Sequence, residues 1–194
     1  MEAGDPLVSA SWLKDNINAP DLRVVDATWV APFLVGRETG QQPYNKGHIP
    51  GAVFFDIDAI ADPDSDLPHM LPSSILFSSR VRKMGLGDGN RIIIYDQNSF
   101  FASARVWWMF RTSGHIDVFV LNGGCAAWQA VGGDIVDLPP VAVERHFTPR
   151  ARADLLRDMS HVQAATADGN ATILDARPPG RFDGSAPEPR ADQK

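Results

Sequence analysis

The apolar positions of this chain fall in short runs separated by polar turns, and two different spacings alternate along it. Residues 22–29 (Leu-Arg-Val-Val-Asp-Ala-Thr-Trp) and 91–95 (Arg-Ile-Ile-Ile-Tyr) are β-branched, nearly continuous apolar runs of strand length. Such runs read as strands buried on both faces. Residues 118–121 (Val-Phe-Val-Leu) and about 53–57 add two more. Helical spacing appears over 7–16, with Ser11 as cap, and over about 73–84, capped by Ser73-Ser74 and ended by Gly85-Leu86-Gly87-Asp88-Gly89. It returns over 102–113, and in a short stretch carrying Trp128 after Asn122-Gly123-Gly124. The 102–113 stretch, with Trp107-Trp108-Met109-Phe110 in a row, is apolar nearly all round and is expected to be buried. Strands alternating with helices predict an α/β fold, a parallel sheet covered on both faces with right-handed crossovers.

One stretch organises the pattern: Tyr44-Asn-Lys-Gly-His48-Ile-Pro50-Gly51-Ala-Val-Phe-Phe55-Asp56-Ile-Asp58. Pro50 fixes its own φ and Gly51 tolerates conformations other residues resist, so a sharp turn should lead into the strand near Val53. In an extended segment Asp56 and Asp58 would share one face. The following residues 62–71 contain Pro63 and Pro68, with Pro72 next, and predict no regular element.

The character changes beyond residue 132. Residues 137–159, with Pro139-Pro140 near their start, read as a linker. Ser160 then caps a helix to about Asp168, and residues 171–177 (Ala-Thr-Ile-Leu-Asp-Ala-Arg) read as a strand. Val24-Val25-Asp26-Ala27 and Ile173-Leu174-Asp175-Ala176 repeat each other with an offset of 175 − 26 = 149. His48 follows Asp26 by 22 positions, so a second copy would place its histidine at 175 + 22 = 197, past Lys194. The expected organisation is one complete α/β domain over 6–136, the linker, and an incomplete second copy over 160–194.

Composition narrows the possibilities. With 194 residues and 44% hydrophobic content the chain can build one good core. A net charge of −6 without long basic runs argues against a nucleic-acid surface. No apolar run is long enough to span a membrane, and Met1-Glu2-Ala3-Gly4-Asp5-Pro6 has neither region of a secretory leader. The lone Cys125 excludes an internal disulfide framework and the multi-thiol zinc patterns. Cytoplasmic residence is therefore expected, with no metal and no cofactor.

Tyr44-x3-His48-Ile49-Pro50-Gly51-Ala52-x2-Phe55 resembles the signature of the rhodanese superfamily of sulfurtransferases. Arg105-Val106-Trp107-Trp108-Met109-Phe110, Leu121-Asn122-Gly123-Gly124 and Leu174-Asp175-Ala176-Arg177 are similar to further recurrent segments of its tandem-domain members. His69-Met70-Leu71-Pro72 and Gly180-Arg181-Phe182 lean toward the 3-mercaptopyruvate enzymes. The resemblance implies a three-layer rhodanese-like fold. It implies transfer of sulfur from 3-mercaptopyruvate or thiosulfate to a thiol, a thioredoxin-like protein or cyanide, through a cysteine persulfide. It also implies that the first domain is the non-catalytic one. The loop 96–102 lies where an active domain carries its cysteine, and Asp96 stands in that place. The counterpart loop would fall near 96 + 149 = 245.

The same resemblance gives roles to four residues. Asp58 and His69 would form a supporting relay, the carboxylate orienting an imidazole that shuttles a proton. On the residues alone, Asp58 capping a helix and His69 standing solvated among prolines is the competing reading. Arg181 and Arg190 would bind the substrate carboxylate and carbonyl, the guanidinium fork matching such groups; two solvated surface arginines is the alternative. Cys125, at a helix start, is a rival nucleophile, set against a small buried residue behind a glycine turn. His48 and Asp26 are expected to hold the Gly-His-Ile-Pro-Gly turn, Arg177 is expected to be structural, and Trp107-Trp108 are expected to be core. A second function class is a binding or regulatory module without catalysis. A phosphatase of related fold would need a Cys-x5-Arg loop, which the sequence lacks.

Overall fold

The computed structural model describes residues 5–31, 39–98 and 101–187. The chain divides into two compact units, Met1–Arg152 and Ala153–Lys194.

In the first unit, β1 (Leu7–Val8), β2 (Leu22–Asp26), β3 (Val53–Phe54), β4 (Arg91–Tyr95) and β5 (Val118–Leu121) form one sheet in the order β1-β5-β4-β2-β3. Every pairing is parallel, and β2 runs beside β4 from Leu22↔Arg91 to Asp26↔Tyr95. The helices are α1 (Ala10–Asn16), α2 (Gln41–Lys46), α3 (Ile57–Ile60), α4 (Ser74–Lys83), α5 (Ala102–Thr112) and α6 (Gly124–Ala130). Successive strand side chains point to opposite faces, so the central strands divide between two cores. Val25, Ile92 and Ile94 pack with Phe77, Val81, Val106 and Phe110 of α4 and α5. Val24, Ile93 and Tyr95 pack with Leu13 of α1 and with Cys125 and Trp128 of α6. This is the three-layer α/β arrangement expected.

Several local expectations are corrected. Leu7-Val8 does not open a helix: it pairs with Val120 and Leu121, and α1 starts after Ser9, whose hydroxyl accepts Trp12 N–H at 3.1 Å. The strand expected over 53–57 stops at Phe54, because Asp56 caps α3 by accepting the N–H groups of Asp58 and Ala59. Asp56 and Asp58 therefore do not share an extended face. Trp107 and Trp108 are half-buried rather than core. Trp107 donates its indole N–H to Val118 O at 3.0 Å, and the guanidinium groups of Arg111 and Arg105 lie over the two rings. An indole carries a polar donor that must find an acceptor, which keeps it at the edge of a core.

Residues 137–152, read from sequence as linker, run along the first unit. Phe147 is 2% exposed in the core beside Phe77 and Phe110. Its carbonyl accepts from Ser78, and Arg150 and Arg152 donate their N–H groups to Ser113 and Thr112.

The second unit holds a 3-10 turn (Ala153–Leu155), α7 (Met159–Asp168) and α8 (Pro179–Phe182). Asp158, not Ser160, caps α7, accepting His161 N–H at 2.9 Å, while the Ser160 hydroxyl donates to the same carboxylate. The strand expected over 171–177 does not form; those residues are exposed and unpaired in any ladder. A strand needs a neighbour to satisfy its backbone groups, and the described residues of this unit supply none.

Candidate active site

The carboxyl ends of β2 and β4 meet in a buried polar network. Asp26 ends β2, and its carboxylate accepts the N–H of Thr28 and the Nε2–H of Gln97, the latter at 2.8 Å. Gln97 also donates to Gly47 O, which ties the loop after β4 to the Gly-His-Ile-Pro-Gly turn. His48 is fully buried, stacked on Tyr44 with centroids 4.0 Å apart, its Nδ1 bonded to Tyr44 O at 2.9 Å. Tyr95 receives the Ile49 N–H on its hydroxyl oxygen. His48 and Asp26 thus hold the turn, as their positions suggested. The Arg177 guanidinium is paired locally with Asp175, at 2.7 Å.

The loop after β4 runs into α5. Asp96 is 7% exposed, and its Oδ2 accepts both the N–H and the hydroxyl of Ser103. A hollow of about 480 Å³ beside it is lined by Leu7, Asp96, Asn98, Phe101 and Gly123 among others. That hollow meets a carboxylate, a group that cannot carry sulfur as a persulfide. Cys125, the only cysteine in the sequence, is 8% exposed near the start of α6. Burial, and then the nearby negative charge of Asp26, push its thiol up to about 11. At neutral pH it is a protonated core side chain, and the nucleophile reading of Cys125 is set aside.

Asp58 and His69 are brought together. Asp58 sits in the first turn of α3, and its Oδ1 lies 2.6 Å from His69 Nδ1. Its other oxygen accepts the indole N–H of Trp29 at 3.1 Å. Trp29 meets the imidazole edge-on, with centroids 5.4 Å apart. A carboxylate at Nδ1 selects the tautomer with the proton there and leaves Nε2 as the basic nitrogen. His69 has a left-handed backbone, φ 59°, and its carbonyl accepts from Arg105 Nη2 at 2.6 Å. Asn98 donates to Trp29 O, joining the β4 loop to the pair. Sequence reasoning gave Trp29 and Arg105 no role at the site, although Trp29 lies just past a strand end, where α/β sites form.

Arg181 lies in the last turn of α8, in the second unit, and is partly exposed. Arg190 lies outside the described residues. Among the described residues no group of three or more His, Cys, Asp or Glu could hold a metal ion. None of the described helices is long and apolar enough to cross a membrane.

A parallel sheet with two covered faces, and a polar loop linking its central strand to a buried helix, defines an α/β protein with its site at the strand ends. The family model described as Rhodanese-like domain matches residues 9–131, and the chain belongs to that family. It is 38% identical over 187 residues to 3-mercaptopyruvate sulfurtransferase of Escherichia coli, covering 94% of this chain and 65% of that protein. It is 34% identical over 215 residues to the mitochondrial thiosulfate/3-mercaptopyruvate sulfurtransferase 1 of Arabidopsis thaliana, covering 98% of this chain and 55% of that one. The crystal structure of SseA from Escherichia coli, a 3-mercaptopyruvate sulfotransferase, superposes with a TM-score of 0.86 at 36% identity, over 92% of this chain and 68% of SseA. The chain thus spans less than two thirds of the length of the two sulfurtransferase sequences it matches, 65% and 55%.

Proposed function

We propose that this chain supplies the non-nucleophilic part of a sulfurtransferase that moves sulfur from 3-mercaptopyruvate, or secondarily thiosulfate, to a thiol, a thioredoxin-like protein or cyanide. The observation that carries this reading is the Asp58–His69 pair beside a loop that holds Asp96 where an acceptor thiol would stand. In the reaction, a thiolate attacks the sulfur of mercaptopyruvate and the carbon–sulfur bond breaks. The thiolate becomes a persulfide, and the thiol proton of the donor ends on the enolate carbon to give pyruvate. That thiolate must come from outside these 194 residues, since Cys125 is buried and protonated.

His69, held by Asp58 at Nδ1, can accept and return the migrating proton at Nε2. Arg181 and Arg190 bind the donor carboxylate and carbonyl, to which a guanidinium fork is matched. Cytoplasmic residence belongs to the same reading, since a reducing compartment keeps thiols available. In the test, residues 1–152 are joined to the carboxy-terminal domain of the Escherichia coli 3-mercaptopyruvate sulfurtransferase, and thiocyanate release from 3-mercaptopyruvate and cyanide is measured. The 194-residue chain alone should be inactive. The chimera should turn over, and His69→Ala should slow it by about a hundredfold, the lower end of general acid–base contributions. Turnover by the 194-residue chain that Cys125→Ser abolishes would overturn the proposal, as would a chimera indifferent to His69→Ala.

A further inference from the structure

Arg105 has no ion-pair partner among the described residues. It sits on α5, partly buried. Its Nε is buried without a hydrogen-bond partner, and burial lowers its pKa from the ordinary arginine value. Holding a guanidinium in such a place is unfavourable unless its remaining contacts compensate. Two contacts do so. The planar group lies over the Trp108 ring, 4.6 Å from the centroid, and Nη2 donates to the carbonyl of His69 at 2.6 Å.

That carbonyl belongs to a residue that needs holding. His69 stands in a loop with three prolines and takes a left-handed φ of 59°, a conformation that costs a β-carbon-bearing residue. The loop is anchored to Asp62 through Met70 O, one residue further on. Asp58 and Trp29 contact the imidazole ring. Arg105 contacts the backbone that carries the ring, from the helix that follows the Asp96 loop.

We propose that Arg105 is a positioning residue: by gripping the His69 carbonyl it holds the strained backbone that keeps Nδ1–H on Asp58. The assignment rests on the proposed function for its meaning in turnover, but not for its test. In ¹⁵N-correlated imidazole spectra of the 194-residue chain, His69 should show the Nδ1–H tautomer. Arg105→Met, which keeps a stem against Trp108 but cannot donate, should shift His69 toward the Nε2–H tautomer that dominates free imidazole. His48 and His115 should keep their wild-type signals. Arg105→Lys keeps a donor but loses the flat stack, and should give an intermediate ratio. A wild-type tautomer ratio in Arg105→Met would overturn the assignment. Should that variant fail to fold, Arg105→Lys carries the test, and a wild-type ratio there has the same force. In the chimera, Arg105→Met should lower kcat about tenfold with KM unchanged. A chimera that ignores His69→Ala would sink the functional reading while leaving the tautomer result standing.

Discussion

The carboxylate of Asp96 accepts two hydrogen bonds from Ser103, the backbone N–H at 3.0 Å and the hydroxyl at 2.7 Å. Helix α5 opens after Phe101, which lies in the left-handed region and offers no side-chain cap. Asp96 reaches forward from the end of β4 and satisfies an orphan donor that the helix start leaves open. Asp96 therefore acts as a remote cap. Asp96→Ala should cost about 1–2 kcal/mol, because a buried N–H loses its acceptor. Urea denaturation followed by circular dichroism measures it. A variant as stable as the wild type would show that the cap is dispensable.

Three buried acids set the alkaline limit of stability. Burial first, and the charge of Asp26 second, hold Cys125 up to about 11 and Tyr44 up to about 12, and raise Tyr95 in the same direction. All three are neutral in the native protein, while the unfolded chain ionises near the ordinary values of 9.0 for the thiol and 10.0 for the phenols. Stability from these groups is complete below about pH 9 and declines as the pH rises through their folded values. For the thiol alone the loss between pH 9 and 11 is on the order of 1–3 kcal/mol. The urea midpoint measured from pH 8 to 11 should fall, and Cys125→Ser should flatten the first part of that fall.

Four of the five strands, β2 to β5, and the two cores could be read from the sequence because they rest on periodicity, while the two-residue β1 was too short to show one. Val24 and Val25, and Ile92, Ile93 and Ile94, divide between opposite faces as strand geometry requires. The Asp58–His69 pair was legible only through family resemblance; spacing alone does not bring residues 58 and 69 together, since a proline-rich loop of no regular form does it. Arg105 opens a segment similar to the family's, but its contact could not be read from it, because that contact depends on the conformation of His69, which no local pattern encodes. The strand expected over 171–177 failed for the opposite reason. Its residues have strand character, but a strand is made by its neighbour, and composition does not supply one.

Phe147 lies in the stretch that composition marked as linker, yet it closes an aromatic cluster with Phe77, Phe110 and His115. Phe147→Ala should destabilise the first unit by about 3–5 kcal/mol, the range for removing a buried aromatic ring. A protein cut after residue 136 should lose its sharp thermal transition. Differential scanning calorimetry reads both. A cut protein that still unfolds cooperatively at the wild-type temperature would mean the segment only rests on the surface.

Gly124 explains why the loop after β4 can sit where it does. Its φ is +56°, and a β-carbon built there would lie 2.6 Å from the carbonyl oxygen of Asp96. That same oxygen accepts the N–H of Cys125 at 3.1 Å, so β4, its loop and the start of α6 are locked by one close approach. Gly124→Ala therefore carries two penalties, the left-handed backbone and a collision with main chain that no rotamer relieves. Gly89→Ala separates them: φ there is +76° and nothing lies within 4 Å of the new carbon. Gly89→Ala should cost about 1–2 kcal/mol, the conformational penalty alone. Gly124→Ala should cost more than that and should move the amide resonances of Asp96, Gln97 and Asn98, which Gly89→Ala should leave in place. Equal losses from the two variants would mean that the contact with Asp96 relaxes freely, and that the loop is held by the hydrogen bonds of Gln97, Asn98 and Ser103.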